Sequence, residues 1–169
     1  MESGGACSQG TPIPGMIVAM RQADVERLVR DTLAAHASLF LATAGEAGPW
    51  VNGVYFAEDD LFTLSIVLES EGRTIAAIRS QPRVAVIVST GSPGDPFLQA
   101  TADAQVLIGG GAGYARELLR AKVPQAGPFL AAPVEAVRLT VNTWRVTDIP
   151  NGWLPGVELP NPNRLLPVG

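Results

Sequence analysis

Ser38-Leu-Phe-Leu-Ala-Thr-Ala-Gly-Glu-Ala-Gly48-Pro-Trp-Val-Asn-Gly-Val-Tyr-Phe56, followed after an acidic turn by Leu61-Phe-Thr-Leu-Ser-Ile-Val67, holds three strand-like runs in quick succession. The first, Ser38–Ala44, ends at Gly45-Glu-Ala-Gly48-Pro49, which is turn chemistry by composition. The second, Trp50–Phe56, ends at Asp59-Asp60, and Leu61–Val67 closes the meander. Parallel strands need a crossover of a dozen residues or more, so gaps this short favour antiparallel hairpins.

Outward from this meander, Val25, Leu28, Val29 and Leu33 recur at helical spacing with charged residues between them. They predict an amphipathic helix from about Gln22 to Ala37, with Asp24 as its N-cap. Residues 1–20, rich in Gly, Ser and Pro, read as a flexible N-terminal arm. After the meander, Glu71–Ser80 reads as a short helix, which Pro82 stops because it disfavours helical geometry at Gln81. Arg83–Ser89 is a buried-looking strand, and Phe97–Val106 alternates polar and apolar residues as a half-buried strand does. The glycines from Gly109 to Gly113 read as a loop before a helix over Tyr114–Lys122, and one more turn is expected within Pro128–Ala132. No Gly-Lys-Ser/Thr follows those glycines, so they are not a phosphate-binding loop. Val134–Thr147 is a final strand, and from Ile149 onward five prolines in 21 residues predict an extended tail. Strands dominate and neighbours are mostly hairpin-linked. The expected fold is mainly β (α+β): an antiparallel barrel over 21–148 with flanking helices, which removes exposed sheet edges.

Composition narrows the function classes. The chain has 169 residues, 47% apolar and 17% charged, which suits one folded domain. A net charge of −4 argues against a general nucleic-acid binder. Lysine is nearly absent, so any bound anion must be held by a few placed groups. Cys7 stands alone, which excludes a disulfide framework and a thiolate metal site. His36, the only histidine, falls at a predicted helix end, where a polar or positive group suits the dipole. The apolar run Met16–Met20 is too short for a signal segment, and nothing approaches the roughly 20 apolar residues of a membrane span. A soluble cytoplasmic protein without metal is expected.

The order and spacing of Leu41-Ala-Thr43, Gly48-Pro-Trp-Val-Asn-Gly-Val-Tyr-Phe56, Ser70-Glu-Gly-Arg-Thr74 and Gln81-Pro-Arg-Val-Ala-Val86 resemble the pyridoxamine 5′-phosphate oxidase-like family of FMN-binding split β-barrels. The resemblance covers roughly residues 22–108. In that family a Ser-Arg-Lys cluster at the start of the helix before the Pro-Arg-Val strand holds the FMN phosphate; Arg73 falls on the Arg position and Thr74 on the Lys position. A helix N-terminus does offer free N–H groups and a positive dipole end to a phosphate, and Arg73 adds a bidentate donor. The resemblance lays the flavin ring along the second and third strands, implicating Asn52, Gly53, Val54, Ser65 and Ile66, with a register uncertainty of about two residues in the third strand. Gln99 is a further candidate from the fifth strand, and Trp50, Tyr55 and Trp153 are candidate substrate-facing residues. It implies a homodimer with the cofactor at the interface; separately, the apolar, proline-stiffened tail over 149–169 is expected to lie across the partner.

The implied activity is an FMN-dependent oxidoreductase moving hydride to or from a small planar substrate. No residue is committed as catalytic, and the tail holds Arg164 but no histidine, unlike a true pyridoxamine phosphate oxidase. A deazaflavin-dependent reductase on the same fold is an alternative, as is a non-catalytic barrel holding a flavin, a haem or a hydrophobic metabolite. The residues alone also permit plainer readings: a solvated Arg73, a strand kink at Asn52-Gly53, and a barrel-filling Trp50.

Overall fold

The computed structural model describes residues 14–164, with side chains described from Arg21. A helix α1 (Pro14–Ala35) precedes three strands, β1 (Ser38–Gly45), β2 (Gly48–Asp60) and β3 (Thr63–Glu69). Then come α2 (Arg73–Ser80), β4 (Arg83–Val88), β5 (Phe97–Val106), α3 (Gly109–Lys122), the short α4 (Gly127–Leu130), β6 (Val134–Asp148) and β7 (Trp153–Pro160). The strands form one antiparallel sheet in the order β3-β2-β1-β4-β5-β6-β7, and β6 also pairs with β3. That second pairing closes six strands into a barrel and leaves β7 on its edge. The length of β6 makes this possible: Val134–Thr140 pairs with β3, while Val137–Thr147 pairs with β5.

Closure is incomplete between β2 and β3. Their ladder runs only from Phe56 opposite Ile66 to Asp60 opposite Thr63. Beyond it, residues 48–55 pair only with β1 and residues 67–69 only with β6. The barrel is split there.

Inward residues fill the barrel, among them Leu41, Phe56, Leu64, Ile66, Leu98 and Leu139. Trp144 is fully buried with them, and its indole N–H donates to the Leu61 carbonyl at 2.6 Å. The face of α1 carrying Val25, Val29 and Leu33 adds to this core. A second cluster lies outside the barrel wall, where Ala115, Leu119, Val123, Ala126 and Leu130 cover Ala57, Val67 and Ala136. Lys122 pins α3 there: its ammonium donates to the Glu58 carboxylate and, at 2.7 Å, to the Leu33 carbonyl. Burial pushes the Lys122 pKa below the ordinary lysine value, against the opposing pull of Glu58.

Three expectations are corrected. The first helix begins at Pro14, because proline is well accommodated in a first turn, where its missing N–H is not needed. Asp24 is therefore inside the helix, bonded to Arg27 at 2.6 Å, and not its N-cap. The glycines from Gly109 to Gly113 are the first turns of α3, not a loop. The tail is a seventh strand on its own chain's β6, not an extended arm. Pro155 and Pro160 are tolerated in an edge strand, which need not donate on its free side. Asn161 fastens the end of this strand, donating from its backbone to Asn142 and from its side chain to Val141. Cys7 and most of the expected N-terminal arm lie outside the described residues, as do residues 165–169. Among the described residues no helix is long and apolar enough to cross a membrane.

Candidate functional site

Where β2 and β3 part, a groove of about 850 Å³ opens. β2 lines it with Trp50, Asn52, Gly53, Val54 and Tyr55, and β3 with Val67, Leu68 and Glu69. Backbone N–H and C=O groups alternate sides along a strand, so those of residues 48–55 not taken by β1 face the gap, as do those of 67–69 not taken by β6. Backbone polar groups require partners when water is excluded. The two diverging edges are therefore ready to bind the polar rim of a flat ligand.

One end of the groove is the start of α2, lined by Gly72, Arg73 and Thr74. Gly72 is the N-cap, in extended conformation and without a side-chain cap. The first backbone bond of the turn runs from the Ala76 N–H to the Gly72 carbonyl at 3.2 Å. The amides of Arg73, Thr74 and Ile75 precede it and belong to the first turn, which has no intrahelical acceptors for them. Glycine suits position 72 sterically as well, because a Cβ there would lie 3.1 Å from the Glu69 carbonyl oxygen. At Gly45 of β1 a Cβ would meet that of Ala77 at 3.0 Å, so α2 rests tightly on the barrel.

Arg73 is held on two sides. Its guanidinium donates to the Ala47 carbonyl at 2.6 Å and stacks over the Trp50 ring at 4.4 Å from the centroid. These contacts fix the cation at the groove end and leave further N–H donors on its fork. Thr74 is buried, and its hydroxyl donates to the Asn52 side-chain oxygen at 3.3 Å, coupling α2 to β2. Glu69, exposed at the rim, is the carboxylate among the groove-lining residues, and Arg73 is their cation. The third wall comes from the connection between α3 and β6, through Gln125, Pro128 and Phe129.

The structure thus brings together Trp50, Asn52, Gly53, Val54, Tyr55, Arg73 and Thr74 from the sequence-based set. It does not bring in four others. Ser65 and Ile66 are buried in the paired part of β3, opposite Ala57 and Phe56, with β6 on their other side. Their backbone groups are spent on neighbouring strands, and the groove begins at Val67. Gln99 lies between Ile87 of β4 and Arg145 of β6, elsewhere on the barrel. Trp153 is on β7 opposite Asp148 and packs against the main core. Sequence reasoning missed Val67, Leu68 and Glu69 by the two-residue register, and missed Gln125, Pro128 and Phe129 altogether. His36 sits at the end of α1 with its Nδ1 2.8 Å from the Thr32 carbonyl and does not line the groove.

No protein-family model matches the chain, and no curated protein matches it. Solved structures do. A Listeria innocua protein named as a candidate pyridoxamine 5′-phosphate oxidase superposes with a TM-score of 0.61 at 18% identity, over 73% of this chain and 98% of that one. A FAD-binding protein from Mesorhizobium loti matches with a TM-score of 0.54 at 23% identity, over 66% of this chain and 84% of that one. A heme-binding protein from Mycobacterium smegmatis matches with a TM-score of 0.65 at 16% identity, over 80% of this chain and 57% of that one. Together they show that the chain has the split-barrel fold of pyridoxamine 5′-phosphate oxidase-like proteins.

Proposed function

We propose that the chain binds FMN in the groove between β2 and β3 and acts as a cytoplasmic oxidoreductase on a small planar substrate. One observation carries this reading: the unpaired strand edges of the split run up to an uncapped helix start bearing Arg73. The groove's lining, with unpaired strand edges on β2 and β3 and a cation at the start of α2, suits a ring with an anionic tail. Arg73 and the first-turn amides of α2 would hold the phosphate, and the Thr74 hydroxyl would stay with Asn52. Asn52, Gly53 and Val54 would face the ring from β2, and Val67 and Leu68 from β3. Bound FMN would supply hydride exchange at its N5; the protein's part is to seat the ring and leave one face open to substrate. On this reading the edges of Trp50 and Tyr55 that line the groove would border the substrate.

A haem finds less support. Among the described residues, the groove lining offers no imidazole or sulfur ligand, and His36 is engaged elsewhere. A deazaflavin would use the same groove, but its longer anionic tail would have a single lining cation to meet it. Titrating the purified protein with FMN, and separately with a deazaflavin, while recording visible absorbance tests these readings. A saturating spectral change with FMN is the expected result. No change with either cofactor would leave only a barrel for some other metabolite.

We further propose that the protein is a homodimer. Phe40 and Val51 are 47% and 60% exposed, and they share an outer sheet face with Ala42, Gly53, Ala85 and Ile87. None of these six is charged, and Gly53 joins this face to the groove. Val51→Glu should turn a dimer into a monomer in sedimentation equilibrium. A wild-type chain that sediments as a monomer contradicts the proposal.

A further inference from the structure

The structure assigns to Phe129, on the connection between α3 and β6, the role of a stacking wall for the planar ring the groove accepts. This inference rests on the FMN reading above and deepens it. The three aromatic side chains lining the groove differ in what they have left to offer. Trp50 already carries the Arg73 guanidinium on its ring. Tyr55 is partly buried against the α3 cluster. Phe129 is 37% exposed and lines the groove from outside the two strands, on the connection between α3 and β6.

The connection that carries Phe129 is built to be rigid. Ala126 and Leu130, one helical turn apart, are buried in the second core cluster and seat this connection on the barrel, while Phe129 stays 37% exposed. Val123 and Ala126 continue the turn with N–H bonds to Leu119 and Val123 at 2.8 and 2.9 Å. The Arg116 guanidinium donates to the carbonyls of Leu130 and Val134, tying the end of α4 to the start of β6. Pro124 and Pro128 fix two backbone torsions in the same stretch. A large apolar side chain on so constrained a support loses little freedom when a ligand stacks on it. Offset stacking on an electron-poor tricyclic ring is the contact a phenyl ring makes best in that position. Gln125, exposed in the preceding turn, also lines the groove.

The test compares the wild type with Phe129→Ala and Phe129→Trp by FMN titration, reading the dissociation constant, the flavin fluorescence and the bound-state absorbance. Phe129→Ala should weaken FMN by roughly two- to tenfold and raise the residual fluorescence of the bound flavin, the loss expected for one aromatic pair. Phe129→Trp should retain the affinity and quench at least as strongly. Arg73→Ala is the control: it should weaken binding but leave the bound flavin as quenched as in the wild type. If both Phe129 variants match the wild type in affinity and spectrum, the inference fails while the FMN reading stands. If Phe129→Ala alters sedimentation but not flavin binding, Phe129 belongs to a subunit interface and the inference is likewise overturned. A wild type that binds no FMN removes both.

Discussion

Replacing Arg73 with alanine is expected to weaken FMN binding by about 1.5–3 kcal/mol, roughly tenfold to over a hundredfold, the range for a hydrogen bond to a charged group. The basis is scarcity as much as geometry. Arg73 is the cation among the groove-lining residues, and the chain's one lysine, Lys122, is tied to Glu58 and Leu33 on α3's side of the barrel. The first-turn amides of α2 would remain after the substitution, so binding should be weakened and not abolished. Arg73 is exposed, and its removal costs the fold only the contacts to Ala47 and Trp50. Thermal unfolding should therefore change little. Arg73→Lys should recover part of the loss, since a lysine keeps the charge without the planar fork. Calorimetric titration of the three proteins measures the effect. Equal dissociation constants for wild type and Arg73→Ala would place the phosphate elsewhere.

Trp144→Ala is expected to destabilise the barrel by about 3–5 kcal/mol, the usual cost of emptying a large aromatic site. Trp144 is the largest fully buried side chain, and its indole N–H satisfies the Leu61 carbonyl at the β2–β3 turn. The alanine leaves both a cavity and a carbonyl without its donor. A domain is held by only about 5–15 kcal/mol, so this one change removes a large share. Trp144→Phe keeps most of the volume but loses the hydrogen bond, and should cost about 1–2 kcal/mol. It provides the measurement if the alanine variant does not fold. Urea unfolding checks both. A loss below about 1 kcal/mol for Trp144→Ala would contradict the packing described, given the typical cost of such truncations.

The barrel was legible because its signals are local. Alternation along β5, the turn at Gly45–Pro49 and the stop at Gln81-Pro82 each act within a few residues. Arg73 and Thr74 came from the family resemblance, and the structure sets them in the first turn of α2. What escaped depends on tertiary partners. Ser65 and Ile66 differ from Val67 and Leu68 in where the β2–β3 ladder ends, and nothing in the buried stretch Leu64–Leu68 marks that point. β7 carries prolines that read as a loop, and becomes a strand only because the long β6 leaves Thr143–Asp148 an open edge to pair with. Gly109 to Gly113 is a poor helix by propensity, but Ala112 and Ala115 pack against the outer barrel cluster and hold it in place. Phe129 lies some 60 residues beyond the strands it faces, on a segment whose placement is decided by Arg116 and two prolines. Its role in the groove had no local signature.

The central claim is that the split between β2 and β3 seats a flavin with its phosphate at the start of α2. The measurement that tests it most directly is a paired calorimetric titration of the wild-type protein with FMN and with riboflavin, which share the ring and differ in the phosphate. Saturable binding of both, with FMN tighter by roughly tenfold or more, is the predicted result. Equal affinities would remove the phosphate from α2, and no binding of either flavin would contradict the account as a whole.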